Sequence, residues 1–273
     1  MQYKQLSNNI QIPYLGFGTW DVRGKEGLKI LLNAIHVGYR LIDTAHMYDN
    51  EEIVGKSIKE SKVQREEFFL TTKLDRSFNS YEKAKQGIQK ALTTLHVDYI
   101  DLLLLHEPYP QVEEMYQALI EAYEEGSIRA IGISNFNEER YLKFIKQCSI
   151  LPMVNQVESH VYYPQLELKD TLEKHGTFMQ SWGSFTEGQR DIFHEERLIE
   201  IGRKYQKSAG QVALRYLVQN GIGVIPKSSH IERMEENFNI FDFELDKENL
   251  TLIKQLDEKH SLFNWYSNKA MWY

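Results

Sequence analysis

Asp43, Lys73, His106, Ser134-Asn135, Asn155-Gln156, Trp182 and Lys227-Ser228 each lie near or just beyond the end of a short apolar run. Together they offer a carboxylate, two cations, an imidazole, side-chain amides and an indole. Gathered in one place, such a set can bind a polar substrate, hold a proton within reach of it and exclude water. Taken singly, each has an ordinary explanation. Asp43 and Asn135 can cap the helices that follow, Lys73 can be solvated, His106 before Glu107-Pro108 can end a strand, and Trp182 can be core. Whether they form a site depends on the elements that carry them.

Eight apolar runs recur: Tyr14 to Phe17, Tyr39 to Ile42, Phe68 to Thr72, Tyr99 to Leu105, Ile128 to Ile133, Met153 to Val157, Thr177 to Ser181 and Ile222 to Ile225. Segments with helical spacing separate them, such as Ala84, Ile88, Ala91, Leu92 and Leu95 behind an N-cap at Ser80. Val112, Met115, Leu119, Ala122 and Tyr123 make another, closed by Gly126. Ser208 and Gln211 read as a capping box, and Gly221 ends that helix ahead of the eighth run. Regular alternation of strand and helix implies parallel strands with helical crossovers, and eight units close into a (β/α)8 TIM barrel. An open doubly wound sheet fits less well, because Gly16-Phe17-Gly18-Thr19-Trp20 lacks the third glycine of a dinucleotide-binding turn and leads into no immediate helix. Ser7-Asn8-Asn9, between Tyr3-Lys4-Gln5-Leu6 and Ile10-Gln11-Ile12, predicts a β-hairpin ahead of the barrel. With no long linker or low-complexity tract, one α/β domain over residues 1–273 is expected. The strand-end residues then converge on the C-terminal mouth of the barrel, where α/β barrels carry their sites.

A net charge of −7 with interspersed signs argues against nucleic-acid and anionic-membrane partners and leaves small molecules. Cys148 is the only cysteine, which excludes an intrachain disulfide and disfavours a thiolate metal cluster, so no metal site is expected and a reducing compartment is favoured. No secretory apolar core follows Met1, and no apolar run approaches the roughly 18 residues of a membrane span, so a cytoplasmic location is expected. The sequence sets no oligomeric state.

Several separated segments, in order and suitably spaced, resemble the aldo-keto reductase family. They are Leu15-Gly16-Phe17-Gly18-Thr19-Trp20, Gly38-Tyr39-Arg40-Leu41-Ile42-Asp43-Thr44-Ala45 with Tyr48 and Asn50-Glu51, Thr72-Lys73-Leu74, and Asp101-Leu102-Leu103-Leu104-Leu105-His106. Gly132-Ile133-Ser134-Asn135-Phe136, Asn155-Gln156-Val157-Glu158 and Ile225-Pro226-Lys227-Ser228 continue the match. The short tail after Asp257 places the chain near the compact bacterial 2,5-diketogluconate reductase-like members.

The resemblance implies carbonyl reduction by NADPH on a small-molecule substrate, with Asp43, Tyr48, Lys73 and His106 as the catalytic four. In that scheme Tyr48 gives the proton, and the Lys73 ammonium lowers the Tyr48 pKa by stabilising the phenolate left behind. Asp43 holds Lys73, and neutral His106 orients the carbonyl oxygen. Taken alone, Tyr48 reads as an aromatic packing near the helix that contains Ile53 and Val54. The likeness also assigns Gly18, Thr19 and Trp20 to the cofactor cleft, and Ser134, Asn135 and Gln156 to the nicotinamide carboxamide. Trp182 takes the place of the stacking aromatic, usually a tyrosine. Gly183-Ser184-Phe185-Thr186-Glu187-Gly188 departs from the commoner Ser-Pro-Leu-Gly pattern. Lys227, Ser228 and Arg233, beside a helix start read as a Ser229-Glu232 capping box, suit the 2′-phosphate of NADPH. Glu236 and Asn237 match adenine contacts.

Trp20, Tyr48, His106 and Glu107 are expected to line the substrate pocket. Glu107 stands where many members carry a tryptophan; facing the pocket it would repel anionic substrates, and turned to solvent it would not. Two other readings use the same residues: a cofactor-sensing regulatory protein with little turnover, and a class I aldolase with Lys73 as Schiff-base nucleophile.

Overall fold

The computed structural model describes residues 1–264, so residues 265–273 of the expected domain lie outside it. The chain opens with an antiparallel hairpin, β1 (Tyr3–Gln5) and β2 (Gln11–Pro13), in the place expected around Ser7-Asn8-Asn9. Eight strand–helix steps follow. β3 (Phe17–Gly18) leads to α1 (Gly24–Val37), β4 (Leu41–Asp43) to α2 (Glu51–Ser61), β5 (Phe69–Leu74) to α3 (Tyr81–Leu95), and β6 (Leu102–Leu105) to α4 (Val112–Glu124). β7 (Ile131–Ser134) leads to α5 (Glu138–Phe144), β8 (Val154–Glu158) to α6 (Leu166–Lys174), β9 (Phe178–Trp182) to α7 (Glu196–Tyr205) and α8 (Ala209–Gln219), and β10 (Gly223–Val224) to α9 (Ile231–Phe238) and α10 (Lys247–Lys254).

The eight strands from β3 to β10 pair in sequence order and in parallel. The first and last also meet. Leu15 bridges Val224, the Val224 amide donates to Tyr14 O at 2.7 Å and the Gly16 amide to Val224 O at 2.8 Å, which closes the (β/α)8 barrel. Glycine is needed at this seam, since a Cβ on Gly18 would lie 2.6 Å from the Ile225 carbonyl oxygen. All four leucines of β6 are buried, as suits a strand covered on both faces.

Local signals account for most boundaries. The Ser80 side chain accepts from the Lys83 amide at the start of α3, and Ser208 and Gln211 form a complete capping box on α8. Gly126 and Gly221, at φ +86° and +79°, end α4 and α8 in the left-handed region. Some boundaries differ from expectation. The first strand runs over Phe17–Gly18, with Leu15 held only by the seam bridge. The runs from 99 and from 128 start as a single Ile100–Ile128 bridge before β6 and β7 form, because between them Asp101 turns its carboxylate to the Leu70 amide, Arg65 and Arg129. The helix after β10 begins at Ile231 with His230 as N-cap, and no side chain caps it, so the Ser229-Glu232 box is absent. Ser228 instead turns the chain locally, its hydroxyl accepting from the His230 amide at 3.1 Å.

Candidate active site

Several of the polar residues expected just beyond strands are inside them: Asp43 ends β4, Lys73 lies in β5, Ser134 ends β7 and Trp182 ends β9, while Gln156 lies within β8 as expected. An apolar-run reading stops where polarity begins, whereas the ladder continues because these side chains find partners within the barrel. Lys73 Nζ donates to Asp43 Oδ1 at 2.5 Å, to Thr44 O at 2.9 Å and to Tyr48 Oη at 3.3 Å. Thr44 O can only accept, and both Asp43 oxygens are used as acceptors, Oδ1 by Lys73 and Oδ2 by Gln156 Nε2, so the carboxyl holds no proton and the nitrogen keeps its own. Burial pulls Lys73 down, but Asp43 and Tyr48 together hold it above an ordinary lysine. Burial pushes the Asp43 carboxyl up, against the pull of Lys73 and a hydrogen bond from Gln156. Taken alone, that rise would favour a neutral acid; two accepting Asp43 oxygens and a Lys73 held above the ordinary range decide for a charged Lys73 facing an ionised Asp43.

Tyr48 stands at the end of a helical turn, His46–Tyr48, directly after β4. Buried Asn50 and Glu51 brace the turn. Asn50 Nδ2 donates to Thr19 O at 2.8 Å and Val22 O at 3.0 Å, while Glu51 accepts from Thr72 Oγ1 at 2.7 Å and pairs with His46 at 3.3 Å. The phenol is held edge-on between Trp20 and His106, with ring centroids at 5.0 and 5.7 Å. Its pKa departs from the sequence expectation. Lys73 does act to lower it, but burial outweighs Lys73 and raises it overall, so the phenol keeps its proton firmly at neutral pH. His106 is buried, and burial and then Lys73 hold it well below the usual imidazole range. It is neutral at pH 7, and its Nδ1 has no partner among the described residues.

Beside this corner a row of amides crosses the barrel mouth. Gln156 Nε2 donates to Asp43 Oδ2 at 2.7 Å and to Gln180 Oε1 at 2.8 Å, leaving Gln156 Oε1 to accept. Ser134 Oγ donates to Gln156 O at 2.8 Å. Asn135 sits at φ +65°, a left-handed conformation that asparagine tolerates.

A cleft of about 350 Å³ runs from these groups towards Lys227, lined by Gly18, Thr19, Trp20, Gln156, Trp182 and Glu187 among others. A second pocket of about 220 Å³ adjoins it, where Trp20, Met47, Tyr48, His106, Glu187 and Phe263 meet. The expected catalytic four are thus brought together, Asp43 and Tyr48 lining the first cavity and Tyr48 and His106 the second. Arg233, Glu236 and Asn237, on α9, lie outside the lining of both. Arg233 is exposed, Asn237 is buried, and Glu236 accepts from the N-cap hydroxyl of Ser208. Glu107 departs from both directions expected of it. It is buried, lines neither cavity, and receives Asn135 Nδ2 at 2.9 Å.

Besides Met47, which lines the second pocket, Gln180, Phe263 and Glu187 escaped the sequence reading. Gln180 shares an inward face with Trp182, two residues on, and that period-two relation was the available signal. Phe263 is carried in by the tail, where Glu158 accepts from the Leu262 amide at 2.8 Å and from the Ser261 hydroxyl; nothing local in the sequence signals this. Glu187 follows Thr186 through two successive left-handed residues, φ 62° and 47°. Burial raises its carboxyl pKa, opposed by Lys227. The residue is nonetheless exposed overall, and that hydration favours the carboxylate at neutral pH.

A model of the Aldo/keto reductase family matches residues 14–258. The 9,11-endoperoxide prostaglandin H2 reductase of Trypanosoma cruzi is 40% identical over 256 residues, covering 93% of this chain and 90% of that protein. The glyoxal reductase of Bacillus subtilis is 41% identical over 256 residues, covering 93% and 92%. The solved structure of the aldo-keto reductase AKR2E5 complexed with NADPH superposes with a TM-score of 0.89 at 31% identity, covering 96% of this chain and 89% of that one.

Proposed function

Because this chain belongs to the aldo/keto reductase family, we propose that it reduces small, uncharged carbonyl compounds to alcohols in the cytoplasm, α-dicarbonyls foremost, with NADPH as hydride donor and Tyr48 as proton donor. One observation carries this reading: the buried Lys73 ammonium is held by Asp43 and Thr44 O so that its remaining N–H meets the Tyr48 phenol. Bound NADPH supplies a hydride, which leaves negative charge on the carbonyl oxygen that must be protonated.

Tyr48 lines both cavities and meets that need. Its raised pKa keeps the proton in place until it is required, and Lys73 stabilises the phenolate that donation leaves. Asp43 prevents the buried ammonium from shedding its charge. His106 is neutral, and with no acceptor beside its buried Nδ1 its proton is better placed on Nε2, free to donate to the carbonyl oxygen. The same three bonds oppose Schiff-base chemistry, which needs Lys73 as a free amine.

The residues present suit the cofactor. Ser134, Asn135 and Gln156 line the second pocket beside the Trp182 ring, where Gln156 Oε1 is left to accept from a carboxamide, and the cleft ends at the exposed Lys227. Arg233, exposed in the first turn of α9, stands at a helix N-terminus that favours anions, which supports selection of the 2′-phosphate. Among the described residues that line the second pocket, Glu187 brings the formal charge. It disfavours carboxylate-bearing substrates, the role the sequence assigned to Glu107. The test is NADPH oxidation against glyoxal, methylglyoxal, keto sugars and keto acids of matched size. Turnover is expected with the neutral members first; NADPH binding without turnover of any carbonyl would replace this reading with that of a cofactor sensor.

A further inference from the structure

Glu107 is a carboxylate buried beside the active site, yet it lines neither cavity. Among the described residues it accepts from the side-chain amide of Asn135, itself buried, which donates through Nδ2 to Glu107 Oε1 at 2.9 Å and more weakly to His106 O at 3.3 Å. On the other side, Trp182 Nε1 donates to Asn135 Oδ1 at 2.7 Å. We infer that Glu107 is a positioning residue that fixes, through Asn135, the orientation of the Asn135 amide and the Trp182 indole at the cofactor cleft.

The reasoning rests on what each group is able to do. The Glu107 oxygen accepts from Nδ2 and the indole N–H only donates, while an amide has one accepting and one donating end. Between these two partners the amide satisfies both in a single orientation. Turned over, it would set Nδ2 against the indole N–H and Oδ1 against the carboxylate, two repulsive contacts in a buried setting. The two ends therefore hold the amide redundantly, and both must be released before it turns. Asn135 and Trp182 both line the second pocket, and Trp182 also lines the cleft, so their orientation decides how that wall meets a nicotinamide. This consequence rests on the NADPH reading above; the hydrogen bonds do not.

Redundancy gives the inference a signature that a merely structural glutamate would not produce. Glutamine in place of Glu107 can serve as acceptor or donor, and so stops enforcing an orientation while keeping the volume. Phenylalanine in place of Trp182 keeps a ring and removes the N–H. Both changes are conservative enough for the barrel to fold. The experiment is a calorimetric measurement of the NADPH dissociation constant for the parent, Glu107→Gln, Trp182→Phe and the double variant. Glu107→Gln is expected to raise the constant about twofold in the parent and roughly tenfold in the Trp182→Phe background, since only there does the amide lose both side-chain partners and keep no more than its weak bond to His106 O. Any further contact of Glu107 would add the same factor to both backgrounds. Equal factors, with the parent binding NADPH, overturn the inference and leave the proposed function standing. A parent that does not bind NADPH overturns both.

Discussion

The two ends of the cleft are built in opposite ways. At the Tyr48 end, Asp43, Thr44 and Lys73 come from strands or the first residue beyond them, are buried, and use their hydrogen-bonding groups on one another. At the Lys227 end, Lys227 and Arg233 are exposed on a loop and a first helical turn, and the flanking segment passes through the left-handed residues Thr186 and Glu187. Chemistry that depends on tenths of an ångström sits on strands, where a neighbouring ladder fixes each Cα. Recognition of a phosphate or a charge tolerates looser support, because Coulomb attraction falls off slowly with distance. Changes at the first end should therefore cost rate and stability together, and changes at the second should alter selectivity alone.

The largest such effect is expected for Lys73→Met. It removes the cation that stabilises the phenolate and leaves the Asp43 carboxylate buried without its partner. We expect kcat to fall by roughly 10²–10³ and stability to fall by about 3–5 kcal/mol, read by steady-state kinetics and denaturant unfolding. A variant that lost rate at parental stability would break the contrast between the two ends.

Arg233→Ala belongs to the looser end. It is expected to weaken NADPH about 10- to 100-fold and NADH by less than about threefold, at unchanged stability, because one charge-assisted contact to a 2′-phosphate is worth roughly 1.5–3 kcal/mol. Paired cofactor titrations measure it, and equal losses for the two cofactors would contradict it.

A smaller shift should follow Glu187→Gln. In a wet cleft the carboxylate repels an anionic substrate by about 1 kcal/mol, so kcat/KM for a keto acid should rise roughly fivefold while that for methylglyoxal stays within about twofold. If the ratio does not move, Glu187 has no part in selection.

A milder effect, one that leaves the sequence unchanged, concerns pH. Burial and Lys73 depress the His106 pKa in the fold, so below the unfolded value of about 6.5 the unfolded chain takes up a proton that the folded chain refuses. The stability owed to neutral His106 is present above that pH and is lost as pH falls, by up to about 1.4 kcal/mol per unit. The melting temperature of the parent should therefore fall more steeply between pH 7 and 5 than that of His106→Asn. Parallel curves would show that protonation of His106 costs the fold nothing.

The same contrast explains what the sequence made legible. Strand residues were readable because a short apolar run ending in Asp43, Lys73 or His106 is a local pattern, and eight such runs sufficed for the barrel and its mouth. The polar row through Gln156 and Gln180 was half visible, since Gln180 announces itself only through its period-two relation to Trp182. On the loops, hydroxyl and charge patterns misled. Ser229 and Glu232 have the spacing of a capping box, yet Ser228 forms a turn with His230 and starts the helix later. Glu187 takes the pocket position considered for Glu107, because Glu107 is drawn to Asn135, far away in sequence, while two successive left-handed residues aim the loop at Glu187.

The central claim is that Tyr48, activated by the Asp43-Lys73 pair, protonates the substrate oxygen. Parent and Tyr48→Phe can be compared under saturating NADPH with methylglyoxal, following the loss of NADPH absorbance, while the NADPH dissociation constant is measured for each. Removing one hydroxyl should lower kcat by roughly a thousandfold and leave NADPH binding within about twofold of the parent. Turnover by Tyr48→Phe at close to the parental rate would contradict the account.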